Sequence, residues 1–419
     1  MIQTAVCTDH LYEYSGVDID LSAAIVKVVD SAWTGEPARS FLAWFKVQAK
    51  RDDVVGDLSR EVARDPRAPS GRATKGQWRD HLGGSQNLAA VLSEAWAEFL
   101  SADRKVKMKS NNQQTSSGRK PSTFYVIGNG FDLLHGIQSA YWNFKEYVHQ
   151  RDRDVFTAVE EYLPAGDDWS SLESALADID VENIIEELGQ FMTPYGADDW
   201  RDSGNHDFQY EVEEVVGQLS YKLRAHFGDW IRTLPIPTRD TAKVQLNRLD
   251  VDAAFLTFNY TSTLQELYAV PDEHVLHIHG EAKMLDDTLI LGHAWNPAKR
   301  KSLNDRDDIE EIDTRLIQAN DILDDYFSKT FKPSEKLIRA NKAFFDQLDA
   351  VDTVHVLGHS LSDVDLPYLK ALLEIPAVAA ACWHVACRTE ADRPERVKRL
   401  IEIGVDAQNA VADLWTEYS

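Results

Sequence analysis

The chain has 419 residues, 43% of them apolar and 10% aromatic, with three cysteines and a formal charge of −25. Length and apolar content suffice for two or three packed domains and exclude a disordered chain. The acid excess argues against a sequence-independent binder of duplex nucleic acid, whose phosphates it repels, and no run of 18 apolar residues offers a membrane span. The charge is unevenly placed. Residues 1–120 carry 17 basic and 15 acidic side chains, and the rest of the chain carries 27 and 54. No basic segment followed by an apolar one opens the chain, so no secretory signal is read. Cys7, Cys382 and Cys387 are too few and too scattered for a disulfide framework or a metal site. They read as thiols of a protein in the reducing cytoplasm.

In chain order, residues 1–104 read as a small helical module. Ser40 is placed to cap a helix opening Phe41-Leu-Ala-Trp44, Val54–Ala63 has apolar residues at three- and four-residue spacing, and Leu88–Leu100 is a third amphipathic stretch. The Phe-x-x-Trp start, the Asp52-Asp53-x-x-Gly56-Asp57-Leu58 turn and the closing Ala95-Trp96 helix make residues 38–102 similar to SAM-like helical modules of the YozE type. Trp44, Trp78 and Trp96 are expected in its core. Residues 105–121, Lys-rich, then Asn/Gln/Ser-rich and ending in Pro121, read as a linker, with Met108 as an alternative translation start.

Residues 122–419 change pattern. Thr123–Ile127, Ala253–Phe258, Val275–His279, Leu289–Leu291, Val354–Leu357 and Cys382–Ala386 are short β-rich runs separated by helical stretches. This is the signature of an α/β domain with crossover connections and a mostly parallel sheet. The spacing between strands predicts a helical lobe inserted at about 145–250, with acidic amphipathic helices such as Glu211–Ile231, and a smaller insertion at about 295–347.

Four motifs fall at strand ends, where open α/β sheets bind ligands. Gly128-Asn129-Gly130-Phe131-Asp132 follows the first strand. Its glycines allow a tight turn and close ligand approach, and the next helix would aim amides at a phosphate. Asp132 can accept from ribose hydroxyls or a water. The same Gly-x-Gly is equally used as a plain structural turn. Asn259 ends the second strand, either facing a ligand or capping a helix over Ser262–Tyr268. His277 and His279 alternate onto one face. No companion completes a metal pair, so one functional imidazole is expected, and His279, nearer the strand end, is chosen. Gly358-His359-Ser360-Leu361-Ser362-Asp363 closes the set: Gly358 permits close approach, and Ser360 and Asp363 can bond to ribose or phosphate. An elbow-type serine nucleophile is the alternative, but Gly-His-Ser-Leu-Ser lacks the glycine that follows the serine in Gly-x-Ser-x-Gly.

Together these pieces resemble the AbiH family of bacterial phage abortive-infection proteins, itself sirtuin-like, over about residues 122–415. The resemblance rests on Ile127-Gly-Asn-Gly-Phe-Asp-Leu133, His135-Gly136-Ile137 with Tyr141 and Phe144, Trp169 with Glu173, Phe258-Asn-Tyr-Thr261, His277-Ile-His-Gly280 and Gly358-His-Ser-Leu361 with Asp363. Gln138 and Ser139 stand where the family often has Pro and Thr. The resemblance implies a Rossmann-like (sirtuin-like) fold in which Gly128–Phe131 cradle a dinucleotide pyrophosphate. It further implies that Asn259 faces the nicotinamide ribose, His279 is the base and Ser360 lies on the adenosine side, and Asp132 is expected as a third catalytic residue, stabilising positive charge on the ribose. No four-cysteine zinc module accompanies it. The implied activity is hydrolysis of NAD, as substrate and not as prosthetic group, to ADP-ribose and nicotinamide, depleting NAD in infected cells. A nucleotide sensor that recruits a separate effector, and a nuclease, are the alternatives. A homo-oligomer and a phage-derived trigger meeting the N-terminal module are expected as partners.

Overall fold

Ser40, Asp53 and the aromatic spacing behind them decide the first helices. The computed structural model describes residues 120–192, 206–284 and 289–419 and, with gaps, residues 40–99. The chain divides into two units, Met1–Ser116 and Ser117–Ser419. In the first, the Ser40 hydroxyl accepts the Ala43 amide at 3.3 Å and the Asp53 carboxylate accepts that of Gly56 at 2.9 Å, capping helices Phe41–Val47 and Val54–Arg64. These helices, Lys75–His81 and the helical residues between 88 and 99 bury Trp44, Trp78 and Trp96 around Phe41 and Phe45, so the three tryptophans are core. Cys7, Met108 and the linker of residues 105–121, its last two residues apart, lie outside the described residues.

The second unit is built on six parallel strands: β1 Thr123–Ile127, β2 Ala254–Thr257, β3 Val275–His277, β4 Thr353–Leu357, β5 Cys382–Cys387 and β6 Ala410–Leu414. Their order, β3-β2-β1-β4-β5-β6, is that of a doubly wound nucleotide-binding sheet. The central strands are continuous apolar runs because helices cover both faces. Phe124, Val126, Leu256 and Val356 sit in one layer of core, and Tyr125, Ile127, Phe255 and Leu357 in the other. Two expectations are corrected. Ala410–Leu414 forms an edge strand whose run, broken by Asp413, gave little signal. Leu289–Leu291 joins no strand: both leucines are buried in the helical lobe, and the chain there makes one bridge, His293 with Phe331.

The lobe comprises the helices between Tyr141 and Thr233 together with Thr314–Lys329, all in one core that includes Phe144, Trp169, Phe208, Leu223, Leu323 and Tyr326. The expected insertions at 145–250 and 295–347 are therefore redrawn. Residues 242–249 pack beneath the sheet, and Phe344, Phe345 and Leu348 pack on its other face. Periodicity shows that a helix has an apolar stripe; it does not show which of two cores receives it.

Strand order reverses between β1 and β4, where the connections leave in opposite directions and a crevice opens at the carboxyl ends. Here the two loops touch backbone to backbone. The Gly128 amide donates to Leu357 O at 3.0 Å and the Gly130 amide to Gly358 O at 2.8 Å. A Cβ on Gly130 would stand 2.8 Å from Gly358 Cα, and one on Gly358, whose φ is +71°, would collide with the Phe131 amide nitrogen. Gly358→Ala therefore combines left-handed strain with a backbone clash. It should lower unfolding free energy by roughly 2–5 kcal/mol, read as a shifted urea midpoint at unchanged slope. A variant as stable as the parent would mean the seam is not formed.

Candidate functional site

Above that seam lies a cavity of about 340 Å³, a size ordinary for small-molecule sites. Its floor is the carboxyl edge of the sheet, carrying Asn259, His279 and the two glycine loops. Its roof is the helical lobe, carrying Tyr141, Glu173, Phe227 and Trp230. Two non-glycine residues in the left-handed region flank it, Trp169 (φ 57°) before the serine-rich turn Ser170–Ser174 and Leu361 (φ 59°) between Ser360 and Ser362. Such strain persists where surrounding structure enforces it: Trp169 is buried and its indole donates to Glu160 at 2.7 Å, and the Leu361 carbonyl accepts from Arg399.

Asn259 does not cap a helix. Its side-chain amide donates to Gly128 O at 3.2 Å, tying the end of β2 to the glycine loop, and Ser262 takes the cap position instead. Asp132 is buried and accepts from Thr261 at 2.6 Å and Thr263 at 2.7 Å. Burial pushes its carboxyl up to about 6, against the hydroxyl and Asn259 hydrogen bonds that favour the charged form. His277 and His279 part company. His277 lies on β3, bonded to Asn259 O and Gln265, away from the cavity. His279 follows the strand end, 2% exposed, and lines the cavity, with no hydrogen-bond partner for Nε2 among the described residues. Burial first, and then the Lys332 ammonium, hold its imidazole well below the usual range, so it is a neutral base at physiological pH.

Three charged residues missing from the sequence-based set complete the floor and roof. Lys332, 1% exposed, pairs with Glu173 from the lobe and lies 3.5 Å from Asp365 Oδ1 on the sheet side. Tyr141 donates to the other Glu173 oxygen. His359 Nδ1 accepts the Leu361 amide at 2.9 Å, which leaves Nε2 to carry the ring N–H, 3.4 Å from Asp365 Oδ2. Burial would raise the Asp365 carboxyl, but Lys332 and His359 hold it far below the carboxylate range. Its Oδ1 has no hydrogen-bond partner among the described residues and stands 3.9 Å from His279 Nε2. A single oxygen can reach both atoms at hydrogen-bonding distance.

A family model described as bacteriophage abortive infection AbiH matches residues 124–386. The chain belongs to the AbiH family. No curated protein and no solved structure matches it. Every cavity residue named above falls within the matched span of this AbiH chain, which assigns it to phage abortive infection.

Of the expected site residues, Gly128, Asn129, Gly130, Asp132, Asn259, His279, Gly358 and Ser360 do line the cavity. Two do not. Phe131 is fully buried beneath the sheet beside Tyr268, because the helix that starts at Asn129 turns its apolar face inward. The Asp363 side chain is 85% exposed and pairs with Arg399 at 2.7 Å; the neighbouring short helix turns Asp365 inward instead. Asn129 is locked to Ser139, donating to its carbonyl and accepting its hydroxyl. The amides of Gly130 and Phe131 are already donated to Gly358 O and Gly128 O, so neither is free for a phosphate. Asp365 could have been found two residues past the chosen Asp363; Lys332, in Phe-Lys-Pro, carries no motif.

Two outcomes follow from the electrostatics. Lys332→Met leaves Glu173 and Asp365 without their buried cation and should cost about 3–5 kcal/mol of stability. Glu173→Gln added to it should recover part of the loss in equilibrium unfolding. For Asp132, the folded chain keeps a proton between roughly pH 4 and 6 that the unfolded chain has released. Its contribution to stability thus falls as pH rises through that window, by on the order of 3 kcal/mol, and is level above it. The near-isosteric Asp132→Asn should lack this fall, and parallel stability–pH curves for the two proteins would refute the assignment.

Proposed function

We propose that this AbiH protein hydrolyses the bond between nicotinamide and ribose in NAD, releasing ADP-ribose and nicotinamide. The observation that carries the reading is the pair Asn259 and His279 on one cavity floor, the imidazole neutral and with Nε2 unpartnered 3.9 Å from the Asp365 carboxylate.

The chemistry asks little acid catalysis. As the C1′–N bond breaks, its electron pair passes to the pyridinium nitrogen and nicotinamide leaves neutral, while positive charge develops on the ribose as in glycoside hydrolysis. Water then bonds to C1′, and the proton it loses goes to His279 Nε2. Asp365 lies close enough to stabilise the imidazolium so formed, and its negative charge favours the cationic transition state in a buried setting. Asn259, held by Gly128 O, would position the ribose hydroxyls or the water. The Asp132–Thr261–Thr263 group supports this role by fixing the loop that follows Asn259.

His279→Ala and Asn259→Ala should each slow nicotinamide release by about 10²-fold or more while the protein stays folded. Nicotinamide quantified after incubation with NAD decides it: parental turnover in both variants, or no release by the parent with or without phage lysate, would end the assignment.

A further inference from the structure

The Gly130 and Phe131 amides that would greet a phosphate are already donated within the seam, and the charged lining has the wrong sign for one. Among the described residues, the cavity is lined by three carboxyl side chains, Asp132, Glu173 and Asp365, against a single permanent cation, Lys332. That ammonium is buried between Glu173 and Asp365. Among the described residues no arginine lines the cavity. Among buried side chains, one uncompensated unit of charge weighs more than it does at an open surface. Asp365 Oδ1, 3.5 Å from the Lys332 ammonium, and His279 Nε2 have no hydrogen-bond partner among the described residues, and both residues are buried. The lining also includes Ser170, Ser171, Ser360 and Ser362, whose hydroxyls are neutral groups suited to a sugar.

We infer that the cavity takes the cationic N-ribosylpyridinium portion of its ligand, recognised by positive charge and sugar hydroxyls, and that phosphate contributes little to binding. This rests on the NAD reading above and narrows it. A riboside without phosphate is then a full ligand, and the two phosphates of a dinucleotide lie outside the cavity. Reduction of the ring, which removes the charge at nearly constant shape, removes the basis of recognition.

Calorimetric titration of the full chain with nicotinamide riboside, its dihydro form, nicotinamide mononucleotide and NAD tests this, with nicotinamide release followed separately. The oxidised riboside should bind at least tenfold tighter than the dihydro form, and the 5′-phosphate of the mononucleotide should improve affinity less than threefold. In Asp365→Asn, and independently in Glu173→Gln, the oxidised-to-reduced preference should shrink at least threefold, with thermal unfolding confirming a folded protein. Equal affinity for both ring states, a tenfold or greater gain from phosphate, or no binding of any of the four would overturn the inference. Charge-selective binding without nicotinamide release would sustain it and sink the hydrolase reading. Release of nicotinamide without charge preference would do the reverse.

Discussion

Lys332 reaches the interior on a loop between two helices, and almost everything about the cavity depends on its being there. An ammonium out of water is costly unless charged partners surround it, and the partners here come from opposite sides: Glu173 from the helical lobe, Asp365 from the sheet edge. The cation therefore holds roof to floor. Its own position is set by backbone, since the Lys332 amide donates to His293 O at 2.8 Å and the His293 amide to Thr330 O at 2.9 Å. Burial pushes the ammonium toward deprotonation, but the two carboxylates keep it charged, raised above its ordinary value.

The chemistry at His279 follows from the same charge. Buried, and with a cation nearby, the imidazole stays neutral, and Asp365, kept ionised by Lys332 and His359, stands beside it. Burial, the cation and His359 together leave a neutral base and an anion 3.9 Å apart. The second tie is the glycine seam. Gly128, Gly130 and Gly358 let two loops of the reversing sheet meet without side chains between them, which fixes where Asn259, bonded to Gly128 O, must lie. Glycines that read as a phosphate cradle act first as the joint on which the site is built.

The parallel sheet was legible because its inner strands are short, mostly apolar runs, and so were most of the floor residues that end them. Asn259 and His279 stand at such ends, where alternation and the strand terminus together point at the crevice. Alternation along a strand reaching His279 put His277 and His279 on one face, but the strand ends at His277 and the two part there. Legibility failed where the decision was a matter of helical phase. Asp363 and Asp365 have the same chemistry two residues apart, and only the turn of the short helix Asp363–Asp365 sends one to Arg399 and the other to His359.

By itself the sequence determined the α/β class, the helical N-terminal core of Trp44, Trp78 and Trp96, the position of the crevice and, Asp365 apart, the principal residues of its sheet side. These are local properties, written in periodicity, turn residues and strand ends. Only the tertiary structure decided that Thr314–Lys329 joins the lobe of residues 141–233, that Phe131 is core, and that Lys332, Glu173 and Asp365 meet. Those three residues are 33 to 192 positions apart in the chain. What brings them together is the energetic requirement that a buried charge find partners, and no local pattern records it.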